Sequence, residues 1–193
     1  MSFIDTIRSQ IIHDDMNSSM KKKGYEPLFT AGHGARIVIV GQAPGIRAQE
    51  SMIPWDDKSG ETLREWLGVT KEQFYDPDVI SLLPMDFYYP GKGTTGDAPP
   101  RKGFAEKWHP QILQHMPDVE LIILVGSYAQ NYYLKDSKKK NLTETVRSYE
   151  DYLPKYFPIV HSSPLNFRWH AKNPWFKESV VKRLQEQVAA AIE

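Results

Sequence analysis

Residues 156–169 read YFPIVHSSPLNFRW. An apolar run, Tyr156 to Val160, breaks at His161 into a polar turn, His161-Ser162-Ser163-Pro164-Leu165-Asn166-Phe167-Arg168-Trp169. A short apolar run bounded by turn residues predicts a strand buried on both faces. The stretch has a counterpart at 36–45, where the strand-like Arg36 to Val40 stops at Gly41-Gln42-Ala43-Pro44-Gly45. Two more runs, Asp78 to Leu83 and Leu121 to Val125, have the same character. Four such strands separated by helical patterns predict one α/β domain, 1–193, with a four-stranded parallel sheet sandwiched between helices. In open parallel sheets ligands bind beyond the carboxyl ends of the strands. Both turns stand there, so they are expected to converge on one pocket.

The intervening segments supply the helices. Phe3 to about Asp15 places Ile4, Ile7, Ile11 and Ile12 on one face. A link rich in Gly, Lys and Pro, Lys21 to Gly34, leads into the first strand. Gly60 to Leu67 predicts a short helix with Leu63, Trp66 and Leu67 buried and Gly68 as its left-handed stop. Phe87 to Pro100 is a loop rich in Gly, Pro and Tyr. Phe104, Trp108 and Ile112, four apart, mark the next helix. Ser127 is expected to cap a helix ending near Leu134, and Leu142 to Tyr149 to form a weaker one. Asn173 is expected to cap, and Pro174 to open, a last helix facing inward with Val181, Leu184, Val188 and Ile192.

The 193 residues suffice for one domain burying roughly 70% of its unfolded surface. No apolar stretch approaches the ~18 residues of a membrane span, and the amino terminus lacks a signal-peptide pattern, so a cytoplasmic protein is the expectation. The absence of cysteine excludes disulfides, thiolate metal sites and iron–sulfur clusters. The six histidines show no zinc spacing, and neither metal nor cofactor is expected. Formal charge is zero. From Asn166 to Arg183, however, five cations face Glu178 alone, a net of +4 interleaved with Trp169 and Trp175. That window reads equally as a solvated surface and as a footprint for a phosphate backbone.

Each turn has a bland and a chemical reading. Gly41 and Gly45 permit close approach or positive φ, and the turn can offer backbone N–H groups and the Gln42 amide to a flat polar ligand. It fits neither the dinucleotide-binding nor the phosphate-loop glycine pattern. His161 is either a structural histidine or a neutral donor aimed at an oxygen that gains negative charge. It does not pair with Ser162 as a nucleophile, because neighbours in extended chain face opposite sides and the G-x-S-x-G elbow is missing. In Pro54-Trp55-Asp56-Asp57-Lys58-Ser59-Gly60, Asp57 or Ser59 either caps the helix or lets a carboxylate project into the pocket. Trp55 either joins the core or stacks on a planar ligand.

Taken together, these segments resemble the uracil–DNA glycosylase superfamily. Its members carry GQDPY, GEAPG or GLAPG after the first strand and a motif of the type HPSPL after the last; here these read GQAPG (41–45) and HSSPL (161–165). PWDDKSGETLREWL (54–67), Pro90-Gly91, PDVELIILVGSYA (117–129) and NPWFKES (173–179) are similar to segments of the bacterial and thermophile branches. The resemblance spans roughly residues 36–185.

The resemblance implies hydrolysis of an N-glycosidic bond in DNA, with the damaged base flipped into the pocket. His161 would stabilise charge on the leaving base, and Leu165 would fill the vacated stack. Ser162, Ser163 and Arg168, with Pro164 and Asn166, would hold the DNA backbone. Gly41, Ala43, Pro44, Gly45 and Trp55 would form the base pocket, with Gln42 beside the reacting bond. The chain departs from the pattern in three places. Gln42 and Ala43 stand where other branches carry the motif-one carboxylate. Asp57, aligned with an aspartate of the GLAPG branch, takes that role, with Asp56 as fallback. The asparagine that reads uracil falls on Leu83, leaving base identity open, and the cluster cysteines of other branches are missing. The expected protein is a monomeric DNA-repair glycosylase acting on a deaminated base in damaged DNA. The alternative is a relative that has lost catalysis and only binds lesion DNA or a free base. A metal or serine hydrolase is a distant third.

Overall fold

The computed structural model describes residues 2–193. Its centre is a sheet of four parallel strands, β1 (Ile37–Val40), β2 (Ile80–Leu82), β3 (Leu121–Val125) and β4 (Tyr156–Ile159), in the order β2-β1-β3-β4. Ile39 pairs with both Leu82 and Ile123, and Leu124 with Pro158. All four strands lie where the apolar runs predicted them, each within a residue or two at its ends.

Side chains alternate between the two faces of a strand, and here both faces are apolar. Val38, Val40, Ile122 and Leu124 point into one core, packed by α1 (Phe3–His13), α2 (Ser18–Lys22), α6 (Phe104–Leu113) and α7 (Ser127–Leu134). Ile37, Ile39, Leu121, Ile123, Phe157 and Ile159 point into the other. That side is covered by α4 (Lys58–Leu67), α5 (Lys71–Tyr75), α8 (Leu142–Arg147) and α10 (Val181–Ile192). Two more short helices, α3 (Ile46–Ser51) and α9 (Phe167–Lys172), follow the two turns directly. No helix among the described residues is long and apolar enough to cross a membrane.

Local chemistry accounts for most element ends. Gly68 closes α4 at φ 68°, as its position predicted. Phe104, Trp108 and Ile112 are all buried on α6. Two expected caps are corrected. Gly126 rather than Ser127 precedes α7, with φ 85° in a conformation open to glycine and with no side-chain cap. Asn173 does not cap a backbone amide either: its side chain donates to the Trp169 carbonyl and accepts from the Trp175 indole. The last helix begins as a π-helical turn, Phe176–Val180, before α10. Trp169 and Trp175 pack edge to face at 5.8 Å, and Trp169 and Trp66 both stack edgewise on the buried Phe176. These aromatics of the basic window serve the core, while Arg168, Lys172 and Lys177 stay exposed.

Beyond β2 the chain runs alongside the turn that follows β1. Met85 N–H donates to the Gly41 carbonyl and Asp86 N–H to that of Gln42. Asp86 is fully buried and accepts from Arg101 Nε (2.7 Å) and Nη2 (2.9 Å) and from the backbone N–H groups of Tyr88 and Arg101. This clamp closes both ends of the 87–100 loop. Beneath it lies His109, fully buried, with Nε2 donating to the Pro84 carbonyl (2.9 Å) and Nδ1 accepting from the Tyr133 hydroxyl (2.7 Å). Burial pushes its pKa down to about 4, against the favourable Pro84 carbonyl.

Two stability outcomes follow from these buried groups. Asp86→Ala leaves Arg101 and two amides without their partner, so urea denaturation should show a loss of about 3–5 kcal/mol. For His109 the unfolded chain, with a pKa of about 6.5, binds more protons than the folded one. Stability should therefore fall as pH drops from about 6.5 to about 4, by at most ~1.4 kcal/mol per pH unit for this one proton. Denaturation of His109→Gln across that range should show a shallower slope.

Candidate active site

The carboxyl ends of β1, β2 and β4 enclose a cavity of about 590 Å³. Gly41 to Gly45 forms one wall, Leu82 and Pro84 another, and His161, Ser163, Leu165 and Asn166 a third. Further lining comes from Pro54, Trp55 and Asp57 ahead of α4, from Ser59 in its first turn, and from Thr95, Asp97 and Ala98 on the 87–100 loop. The two turns at the ends of β1 and β4 thus meet, as their sequence predicted. A neighbouring cavity of about 240 Å³, at the end of β3, shares Gln42, His161 and Asn166 as its partition.

Trp55 ties these walls together. Its backbone is left-handed, φ 57°, a conformation that costs a non-glycine residue of order 1–3 kcal/mol. Its ring lies 5.6 Å from that of His161. A Cβ on Gly41 would stand 2.8 Å from the Trp55 ring, and one on Gly60 1.8 Å from the Trp55 carbonyl. Both glycines are thus required by close approach, not by φ. Gly45, in an extended conformation, precedes α3. A second tie runs from Ser162, whose buried hydroxyl donates to the Ser59 carbonyl at 2.8 Å.

His161 is held in one tautomer. Its Nδ1 accepts the Ser163 backbone N–H at 3.1 Å, so the proton of the neutral ring sits on Nε2. Asn166 donates to the His161 carbonyl at 2.6 Å, and Ser163 Oγ accepts from Leu165 N–H. The Ser163 N–H thus fixes the ring, while Asn166 and Ser163 Oγ close the turn around it. Burial lowers the His161 pKa, opposed by the nearby Asp57 charge. At neutral pH His161 is an uncharged N–H donor. Asp57 does both things its sequence position allowed. Its Oδ1 caps α4 by accepting Gly60 N–H at 2.9 Å, and the residue lines the cavity. Among the described residues no hydrogen bond engages its Oδ2.

Several other sequence-predicted residues lie elsewhere. Leu83 is fully buried in the core on the α6 side of the sheet and does not reach the cavity; period-two alternation puts Leu82 there instead. Asp56 is exposed outside the lining. The Ser162 hydroxyl is spent on Ser59, out of reach of a phosphate. Leu165, 84% exposed, stands on the rim, with Pro164 and Arg168 also exposed beside it and the Arg168 guanidinium over the Phe167 ring. Asp97 and Thr95, which line the cavity, carry no local motif: only the loop's glycines and its position after β2 hinted at them.

A doubly covered parallel sheet with a cavity and an oriented imidazole at its carboxyl edge is the arrangement in which open α/β proteins bind small ligands. The chain matches the family model described as the Uracil DNA glycosylase superfamily over residues 29–185, and it belongs to that superfamily. Membership supports a glycosylase-like function on a DNA substrate.

The state of His161 can be read directly. In ¹⁵N–¹H spectra its Nδ1 should show the shift of an unprotonated nitrogen at pH 7. The ring should take up its proton only below the ordinary histidine pKa near 6.5. Titration at or above that value would contradict the geometry.

Proposed function

We propose that this protein is a monofunctional DNA glycosylase that removes a deaminated base flipped into the 590 Å³ cavity. The observation that carries the reading is the pairing of an oriented, neutral His161 donor with the Asp57 carboxylate in one cavity. Breaking the C1′–N bond sends its electron pair to the base and leaves cationic character on the sugar. The His161 Nε2–H stabilises the base anion where its charge appears. The free oxygen of Asp57 faces the sugar side, balances its positive charge and orients a water molecule. That water's oxygen bonds C1′ and its proton passes to the carboxylate. Gln42, on the partition beside His161, contributes its amide to holding base or water. Exposed Leu165 enters the base stack in place of the extruded nucleotide. Ser163, Arg168 and Lys172 offer polar and cationic groups along the same rim for the phosphate backbone.

The test is a panel of duplexes bearing uracil, hypoxanthine or xanthine, incubated with the protein and then treated with alkali to cut abasic sites. Wild type is expected to give scission on at least one lesion. Asp57→Asn, which keeps a side-chain cap on α4, should lower kcat by about 10²–10⁴, and His161→Ala by about 10²–10³. Scission unaffected by Asp57→Asn would remove that residue from the chemistry. Tight binding of lesion duplexes without any cleavage, even at stoichiometric protein, would instead make this a binding protein.

A further inference from the structure

Resting on the reading of the cavity as a base pocket, we propose that Asp97 reads the edge of the flipped base farthest from the glycosidic bond. It thereby selects hypoxanthine over uracil and xanthine. The Gly41–Gly45 turn spans the cavity. At its Gly41 end lie Trp55 and, beside it, His161. At its Gly45 end lies Asp97, whose Oδ2 is 3.8 Å from where a Cβ on Gly45 would be. A base whose glycosidic side faces His161 and Asp57 therefore turns its opposite edge towards Asp97.

The wall between these two ends offers little to read that edge. Leu82 and Pro84 have no polar side-chain atom, Pro84 has no N–H, and its carbonyl is taken by His109. The 87–100 loop supplies the polar atoms instead, with Asp97 and, two residues before it, the Thr95 hydroxyl. This part of the loop is built, not slack. Lys92 and Asp97 form an antiparallel bridge, Ala98 N–H donates to the Gly91 carbonyl at 2.8 Å, and Gly93 N–H to that of Gly96. Gly91 and Gly96 make the turn with φ 101° and 90°. Tyr89 N–H is held by the buried Gln49 side chain at 2.8 Å, and Arg101 by Asp86. Burial raises the Tyr89 hydroxyl above its ordinary pKa, and the charge of Asp97 and a hydrogen bond to its carboxylate act in the same direction.

An ionised carboxylate only accepts hydrogen bonds. Facing the remote edge, it rewards an N–H and repels a carbonyl oxygen. The N3–H of uracil lies between two carbonyls, and so does the N1–H of xanthine. The N1–H of hypoxanthine has a carbonyl on one side only, with C2–H on the other. Asp97 can take that N–H while the Thr95 hydroxyl donates to the single flanking oxygen. Asp97 and Thr95 are exposed in the free protein; against the other two bases one carboxylate oxygen meets a carbonyl, and such a mismatch, once the base closes over Asp97, is what gives polar sites their discrimination.

The experiment compares wild type with Asp97→Asn, of nearly the same shape, on the three lesion duplexes, with titrations of free hypoxanthine and free uracil by calorimetry. Wild type should prefer hypoxanthine. Asparagine both accepts and donates, so Asp97→Asn should lower the hypoxanthine-to-uracil ratio of kcat/KM by about tenfold or more, the size of one charge-assisted hydrogen bond. If both proteins cleave with the same ratio, or wild type prefers uracil, Asp97 does not read the base, and the glycosylase reading stands. If neither cleaves any lesion, the glycosylase reading falls. The free-base titrations then decide Asp97 by themselves: a hypoxanthine preference weakened in Asp97→Asn upholds it, and equal affinities overturn it.

Discussion

The arrangement of the site depends on one strained residue. Trp55 holds a left-handed backbone that its side chain disfavours, and three contacts keep it there: its carbonyl over Gly60, its ring over Gly41 and the same ring against His161. Those contacts belong to the start of α4, the end of β1 and the end of β4. Relaxing Trp55 to an ordinary conformation would separate all three. Glycine at 41 and 60 is thus a consequence of where Trp55 must sit, and Asp57 faces the cavity because the chain reverses just before it. A local strain of a few kcal/mol fixes the relative position of two groups that come from segments about one hundred residues apart.

The two principal groups are oriented by different means. His161 is fixed by its own turn, whose backbone N–H decides the tautomer and whose Asn166 and Ser163 side chains close the loop around it. Asp57 is fixed by a helix end. Rotation of its carboxylate is restricted because Oδ1 is committed to Gly60 N–H, and the aligned peptide dipoles of α4 favour negative charge at that place. Each functional atom is the second half of a group whose first half does structural work. Such orientation is what electrostatic catalysis requires, since the dipoles need not reorganise during reaction.

How much of this was legible in the sequence depends on the range of the interaction. Strands and their polar ends were legible because, apart from Ser81 of β2, both faces of the strands are apolar and the pattern breaks sharply at Gly41 and His161. Gly68 was legible because a left-handed stop is a one-residue property. The caps at Ser127 and Asn173 were not. Gly126 takes a backbone conformation suited to glycine, and the Asn173 side chain is drawn to two tryptophans by packing that no local rule contains. Leu83 was misplaced by one residue, which in a strand means the opposite face. Ser162 was read as a phosphate-holding group because its partner, Ser59, is one hundred and three positions away. Asp97 was invisible for the same reason, since its neighbour Gly45 is brought to it only when the 87–100 loop folds back over the end of β1.

The departure of motif one from its relatives is best understood through that same long-range geometry. A carboxylate at position 42 or 43 would enter the cavity on the turn after β1, close to His161 and to the partition with the smaller cavity. Here that turn carries an amide and a methyl group, and the carboxylate that lines the cavity near His161 is Asp57, at the start of α4. Two carboxylates beside one imidazole would repel one another and raise the histidine pKa, favouring the cation. With Asp57 alone near the ring, burial still outweighs its charge and His161 stays neutral. With an amide and a methyl group on the first turn, the uncharged state of His161 on the second is undisturbed. The two motifs are coupled through the charge that the cavity between them can tolerate.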